Sequence, residues 1–74
     1  MTAGRIAAIG EQVAVEGFGL AGALAYPAGD PDEVLAAWHS LPADVALVFL
    51  TAAADRVVPR RSPESVPLTV VMPG

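Results

Sequence analysis

Apolar residues in this chain fall into separate short runs, and polar, glycine and proline residues divide them. Arg5-Ile6-Ala7-Ala8-Ile9 is apolar in both alternation phases and stops at Gly10. That is the pattern of a strand buried on both faces. Ala23-Leu24-Ala25-Tyr26 is a shorter run of the same kind, followed by a turn over Pro27 to Gly29. Val45-Ala46-Leu47-Val48-Phe49-Leu50 is the strongest strand, and a last one runs from Pro67 to Met72.

The stretches between these runs have helical spacing. Gln12 to Ala21 places Ala14, Val15, Phe18 and Ala21 on one face and leaves Glu11, Gln12 and Glu16 wet. Gly17, Gly19 and Gly22 weaken that helix, each by roughly 1 kcal/mol against alanine when interior. Glycines of that cost point to close approach of another backbone or to a helix exit. The second helix carries the clearest local signal. Asp30 caps it, Pro31 suits its first position, and Glu33 completes a capping box. Val34, Leu35, Trp38 and Leu41 then recur at helical spacing, and Pro42 stops the helix. A third helix is predicted over 52–58, with Thr51 as cap and Pro59 as terminator, before a polar loop over 60–65.

Strand and helix thus alternate as βαβαβαβ with short connections. This predicts an α/β domain over 1–74: a small four-stranded parallel sheet, flavodoxin-like or Rossmann-like, with right-handed crossovers. The expected strand order is 2-1-3-4. In that order the first helix lies on one face and the other two lie on the opposite face. One helix cannot also cover the far side of strands three and four. Phe49 or its neighbours, with Val70 or Val71, are then left bare, and a bare apolar patch marks an interface. The last strand has no helix after it to supply cover, so a partner is expected to complete the fold.

Composition sharpens this picture. The chain has 74 residues and no cysteine, so neither a disulfide nor a cysteine-held zinc can staple it. A domain of this size buries only about 60% of its unfolded surface and is marginal without help. The formal charge is −4, and there is no lysine. An acidic chain without a basic stripe argues against nucleic acid and anionic lipid as partners. No apolar run approaches the roughly 20 residues of a membrane span, and the N-terminus lacks a signal-peptide core. The expected setting is intracellular, without direct insertion into a bilayer.

Candidate chemistry is sparse. Gly17-Phe18-Gly19-Leu20-Ala21-Gly22 matches G-x-G-x-x-G in letters. A dinucleotide site needs that motif directly after the first strand, with the helix N-terminus facing the pyrophosphate. Here it falls late in the helix, so helix packing and helix exit explain it better. A phospho-receiver needs an acid at the end of the third strand, where Leu50-Thr51 stand, and a lysine that this chain lacks. His39 is the only histidine, so no two-histidine metal site forms. Asp30, Asp32 and Glu33 are explained by capping and helix-dipole compensation. Ser40, Ser62 and Ser65 have no base aimed at them, and Arg60-Arg61 reads as a solvated loop pair. No catalytic residue, cofactor or metal ligand is assigned, and the chain by itself reads as no enzyme.

The order of elements resembles a known family. Ile6-Ala7-Ala8-Ile9-Gly10-Glu11, then Gly17-Phe18 with Leu20-Ala21-Gly22, resembles the opening of the F subunit family of V-type and archaeal-type (V/A) ATPases. Val48-Phe49-Leu50-Thr51 is similar to that family's third strand. Pro67-Leu68-Thr69-Val70-Val71-Met72-Pro73-Gly74 is similar to its last strand. The resemblance implies a non-catalytic component of the central rotor stalk, without a cofactor of its own. It would bind the long coiled-coil D component of the rotor and the ATPase head, and help couple ATP hydrolysis or synthesis to proton or sodium transport. It would be cytoplasmic, held at the membrane only through the complex. Phe18, Leu20, Phe49 and Val70 are the expected partner contacts. Two departures stand out. Ala52 occupies a position where the family often has an acid, and the family's C-terminal helical segment is not among these 74 residues. The alternative reading is a stand-alone homodimeric interaction domain. An enzyme or nucleotide-binding half-domain ranks behind both.

Overall fold

The computed structural model describes residues 4–20, 22–59 and 67–72. In chain order it holds β1 (Arg5–Gly10), α1 (Gln12–Leu20), β2 (Leu24–Pro27), α2 (Pro31–Ser40), β3 (Val45–Leu50), α3 (Ala52–Val57) and β4 (Leu68–Val71). The strands form one parallel sheet in the order β2-β1-β3-β4. Fold class and strand order are therefore those the alternation predicts. The polar loop predicted over 60–65 lies outside the described residues, as does Ala21 at the end of the first helix.

Element ends follow local chemistry. The Asp30 carboxylate accepts the Glu33 N–H at 2.8 Å, and Pro31 opens α2. Glu33 reaches back to the N–H of Gly29 at 2.7 Å, one residue before the cap. Thr51 Oγ1 accepts the Ala54 N–H at 3.2 Å and starts α3. α1 ends in a Schellman closure. Ala23 N–H donates to the Phe18 carbonyl at 2.9 Å, and Gly22 N–H donates to Gly19 at 3.1 Å. Gly22 holds φ 95° there, a conformation that a side chain disfavours.

The two faces of the sheet are covered differently. Ala7, Ile9, Val48 and Leu50 point to the face of α2 and α3. They form one core with Val34, Ala28, Ala54 and Val45. Trp38, Leu41 and Val57 pack on its margin. Val45 joins this side through a register shift: Arg5 pairs with Val45 and Ile6 with Leu47, so Ala46 has no opposite residue and the phase reverses. On the other face α1 sits over β1 and β2. Val15 and Ala8 are fully buried there, and Gly19 lets the helix close on β2, since a Cβ at Gly19 would lie 3.3 Å from that of Ala25.

Two local expectations change. Pro27, expected in a turn, is the last residue of β2 and pairs with Gly10. Ala28 N–H bonds the Gly10 carbonyl at 2.7 Å, so the missing N–H of Pro27 faces the open edge, where proline costs no ladder bond. Ala14, expected on the buried side of the first helix, is exposed, because α1 seats on β2 through Val15 and Gly19.

Candidate interaction surface

Parallel register carries the uncovered ground across the sheet. Ile6, Leu47 and Leu68 lie side by side, as do Ala8, Phe49 and Val70. These residues share the face of α1, but α1 reaches only the first half of it. Ile6 is 41% exposed, Val70 42% and Leu68 50%. An open hollow of ≈ 430 Å³ lies between α1 and β3, walled by Ile6, Phe18, Ala23 and Phe49. The flank is apolar. Its charged neighbour, Arg5, is engaged by Asp44 in a two-pronged pair at 2.7 and 2.8 Å. That hydrogen bond, more than the charge itself, holds the Asp44 carboxyl below its ordinary value and raises Arg5.

Of the four contact residues expected from sequence, the structure brings three together. Phe18 reaches from α1 onto β3, its ring 5.0 Å from that of Phe49 and tilted by 35°. Both rings are half-buried, so Phe49 is not bare: Phe18 shields it. Val70 lies beside Phe49 on β4, uncovered. Leu20 is elsewhere. It lies about 140° round the helix from the buried Val15, and with Val13 it forms an outer ridge, each 88% exposed. Sequence reading missed Ile6, Leu47 and Leu68 as members of the flank. Their signal was the in-phase alternation of the three runs, once strand order is fixed.

A second concave feature lies where the strand order reverses, beyond the carboxyl ends of β1 and β3. In doubly wound sheets this is the ligand crevice. Here it is a cavity of ≈ 140 Å³ between the starts of α2 and α3, lined by Glu11, Gly29, Asp30, Thr51 and apolar residues. Phosphate binding at such a place uses free N–H groups of a helix start. At α2 the N–H groups of Glu33 and Gly29 are already bonded to the chain's own carboxylates, and at α3 Thr51 occupies the N–H of Ala54. The acids Glu11 and Asp30 repel an anion further. The glycine motif over 17–22 spans the C-terminal end of α1, where carbonyls rather than N–H groups project. Capping bonds and acids disfavour an anion at the first place, and the projecting carbonyls disfavour it at the second.

Among the described residues no group of three or more His, Asp or Glu side chains is placed to hold a metal ion. His39 is exposed, and the Ser40 hydroxyl is engaged with the Ala36 carbonyl at 2.7 Å. No helix among the described residues is long and apolar enough to cross a membrane. The fold and surface define a small parallel α/β unit with an uncovered apolar flank. No protein-family model, curated protein or solved structure matches the chain.

Proposed function

We propose that this chain is a non-catalytic docking protein, and specifically the globular part of a central-stalk component of the V/A-ATPase F family. Its work is to bind a helical coiled-coil partner through the flank of Ile6, Leu47, Phe49, Leu68 and Val70. The observation that carries this reading is the asymmetric cover of the sheet. The α2–α3 face is closed, with Val48 and Leu50 at 0% exposure, while on the opposite face Leu47 and Phe49 are only half-buried and Ile6, Leu68 and Val70 stay exposed. A parallel strand rich in Val, Leu and Phe needs cover on both faces, and an apolar helix is the element that supplies it in α/β architecture. The glycine and phenylalanine pattern over 17–22 supports the particular family. Coupling to ion transport, the ATPase head as a partner and a cytoplasmic location belong to that same proposal.

The test is binding to the coiled-coil component of the stalk, followed by gel filtration and titration calorimetry. A complex is expected with the chain, and Val70→Asp with Leu68→Asp is expected to abolish it. No complex with this chain or with a longer form that includes it would overturn the reading. So would binding that the flank substitutions leave unchanged.

A further inference from the structure

The outer edge of β4 is a second surface, distinct from the flank. Parallel ladders use alternate peptide groups of each strand. Met72 N–H donates to the Leu50 carbonyl at 2.7 Å, so the peptide groups of Leu68 and Val70 point inward to β3 as well. Those of Thr69 and Val71 point outward, and no strand lies beyond β4 among the described residues. The edge therefore presents two N–H donors and two carbonyl acceptors, placed symmetrically about Val70. The opposite edge is blunted. In β2 the outward positions are Ala25 and Pro27, and Pro27 has no N–H. β4 has no such device: all its residues are exposed, none is charged or proline, and the chain has no lysine to guard it.

We propose that β4 is a dimerisation edge, to which a second copy of this chain adds its own β4 in antiparallel pairing. The two-fold axis runs normal to the sheet beside Val70. Val70 then stands opposite its counterpart, and Thr69 of each copy stands opposite Val71 of the other. Each Thr69–Val71 pair exchanges N–H···O=C bonds in both directions, so all four outward groups are used. Two observations select a second copy over another extended segment. The donor and acceptor pattern is symmetric about Val70, which is what an isologous two-fold contact requires. The charge distribution points the same way. Glu11, Glu16, Asp30, Asp32, Glu33 and Asp55 lie on the helices and at their starts, and β4 carries none. Copies of a chain with a formal charge of −4 repel at those acidic surfaces, and among the described residues they meet without an acid at this edge. The edge lies in the plane of the sheet and the flank on its face, so this pairing does not rest on the stalk reading.

The test is amide exchange read by NMR, with sedimentation, on the whole chain from micromolar to millimolar concentration. The mass is expected to double. The Thr69 and Val71 amides are expected to exchange at least about tenfold more slowly in the concentrated sample, while Leu68 and Val70, bonded to β3, are protected throughout. Val71→Pro removes one outward N–H and no bond of the β3 ladder, and is expected to remain monomeric. The wild-type exchange data stand even where that variant fails to fold. The proposal is overturned by a monomer at every concentration, by a dimer whose Thr69 and Val71 amides stay unprotected, or by a folded Val71→Pro variant that dimerises like wild type. Protection that appears only on adding an unrelated extended peptide overturns it too, and gives the edge to a strand-adding partner.

Discussion

β1 and β4 read alike in sequence and end in different surroundings. Each is apolar in both alternation phases, yet Ala7, Ala8 and Ile9 are fully buried while every residue of β4 is exposed. The difference is one of place. β1 has a strand on either side, α1 on one face, and α2 with α3 on the other. Among the described residues β4 has one neighbour strand and no extensive helix contact. A two-sided apolar run therefore states how much cover a strand needs, while strand order decides how much of it the chain itself supplies. What β4 still lacks is the ground on which the proposed docking rests.

Substitution in the two strands breaks or supports this contrast most directly. Ile9→Ala removes a fully buried side chain from the closed core, and a loss of about 2–5 kcal/mol is expected. In a domain this small that is a large share of total stability. Val70→Ala, at 42% exposure, is expected to cost under about 1 kcal/mol in the isolated chain. Urea unfolding of both variants checks this. Equal losses would mean that β4 is covered in solution as β1 is in the fold, and the contrast would fail.

Glycines carry the next test, because they report packed and open ground without large side chains. A Cβ at Gly10, the last residue of β1, would collide with the Thr51 side chain that caps α3. Gly10→Ala is expected to cost about 1–3 kcal/mol through overpacking and displacement of that cap. Gly17 lies in α1 with nothing within 4 Å of where a Cβ would stand. Gly17→Ala is expected to stabilise the isolated chain by about 0.5–1 kcal/mol, the ordinary helix preference for alanine. Thermal unfolding of the pair reads the sign. A destabilising Gly17→Ala would place that ridge of α1 in contact with something.

These cases show where sequence reading succeeds and where it runs out. Alternation, the Asp30 and Thr51 caps and the stops at Pro42 and Pro59 are local signals, and they suffice for the element order and sheet topology. Pro27 escapes them because proline is excluded only from ladder positions that must donate, and which edge faces out is a property of the assembled sheet. The inward turn of Val45 depends on the register shift at Ala46, set by pairing with β1 rather than by the run itself. Part of the flank is legible through Phe49 and Val70. The rotation of α1 about its own axis is not, because the fit of Val15 and Gly19 against β2 sets it. That rotation sends Phe18 onto Phe49 and Leu20 to the outside.

The smallest effect separates the strands by charge. Arg5 opens β1 and is clasped by Asp44 ahead of β3, while β4 has no ionic clasp among the described residues. The hydrogen bond from Arg5 lowers the folded-state value of Asp44 below its ordinary 3.8. A lowered carboxyl contributes stability above the unfolded-state value and loses it as pH falls through the folded-state value. Arg5 stays charged throughout, so the relevant window lies below pH 3.8, and Asp44 alone defines it. Asp44→Asn is expected to be slightly less stable than wild type at neutral pH. The gap should shrink with added salt, since both side chains are about half exposed. It should close in acid once Asp44 is protonated. The backbone bond from Arg5 N–H to the Asp44 carbonyl at 2.9 Å is untouched by the substitution, so β1 keeps its register in the variant. A gap that persisted in strong acid would assign the clasp to geometry instead of charge, and β1 would then owe its buried place to backbone pairing and packing alone.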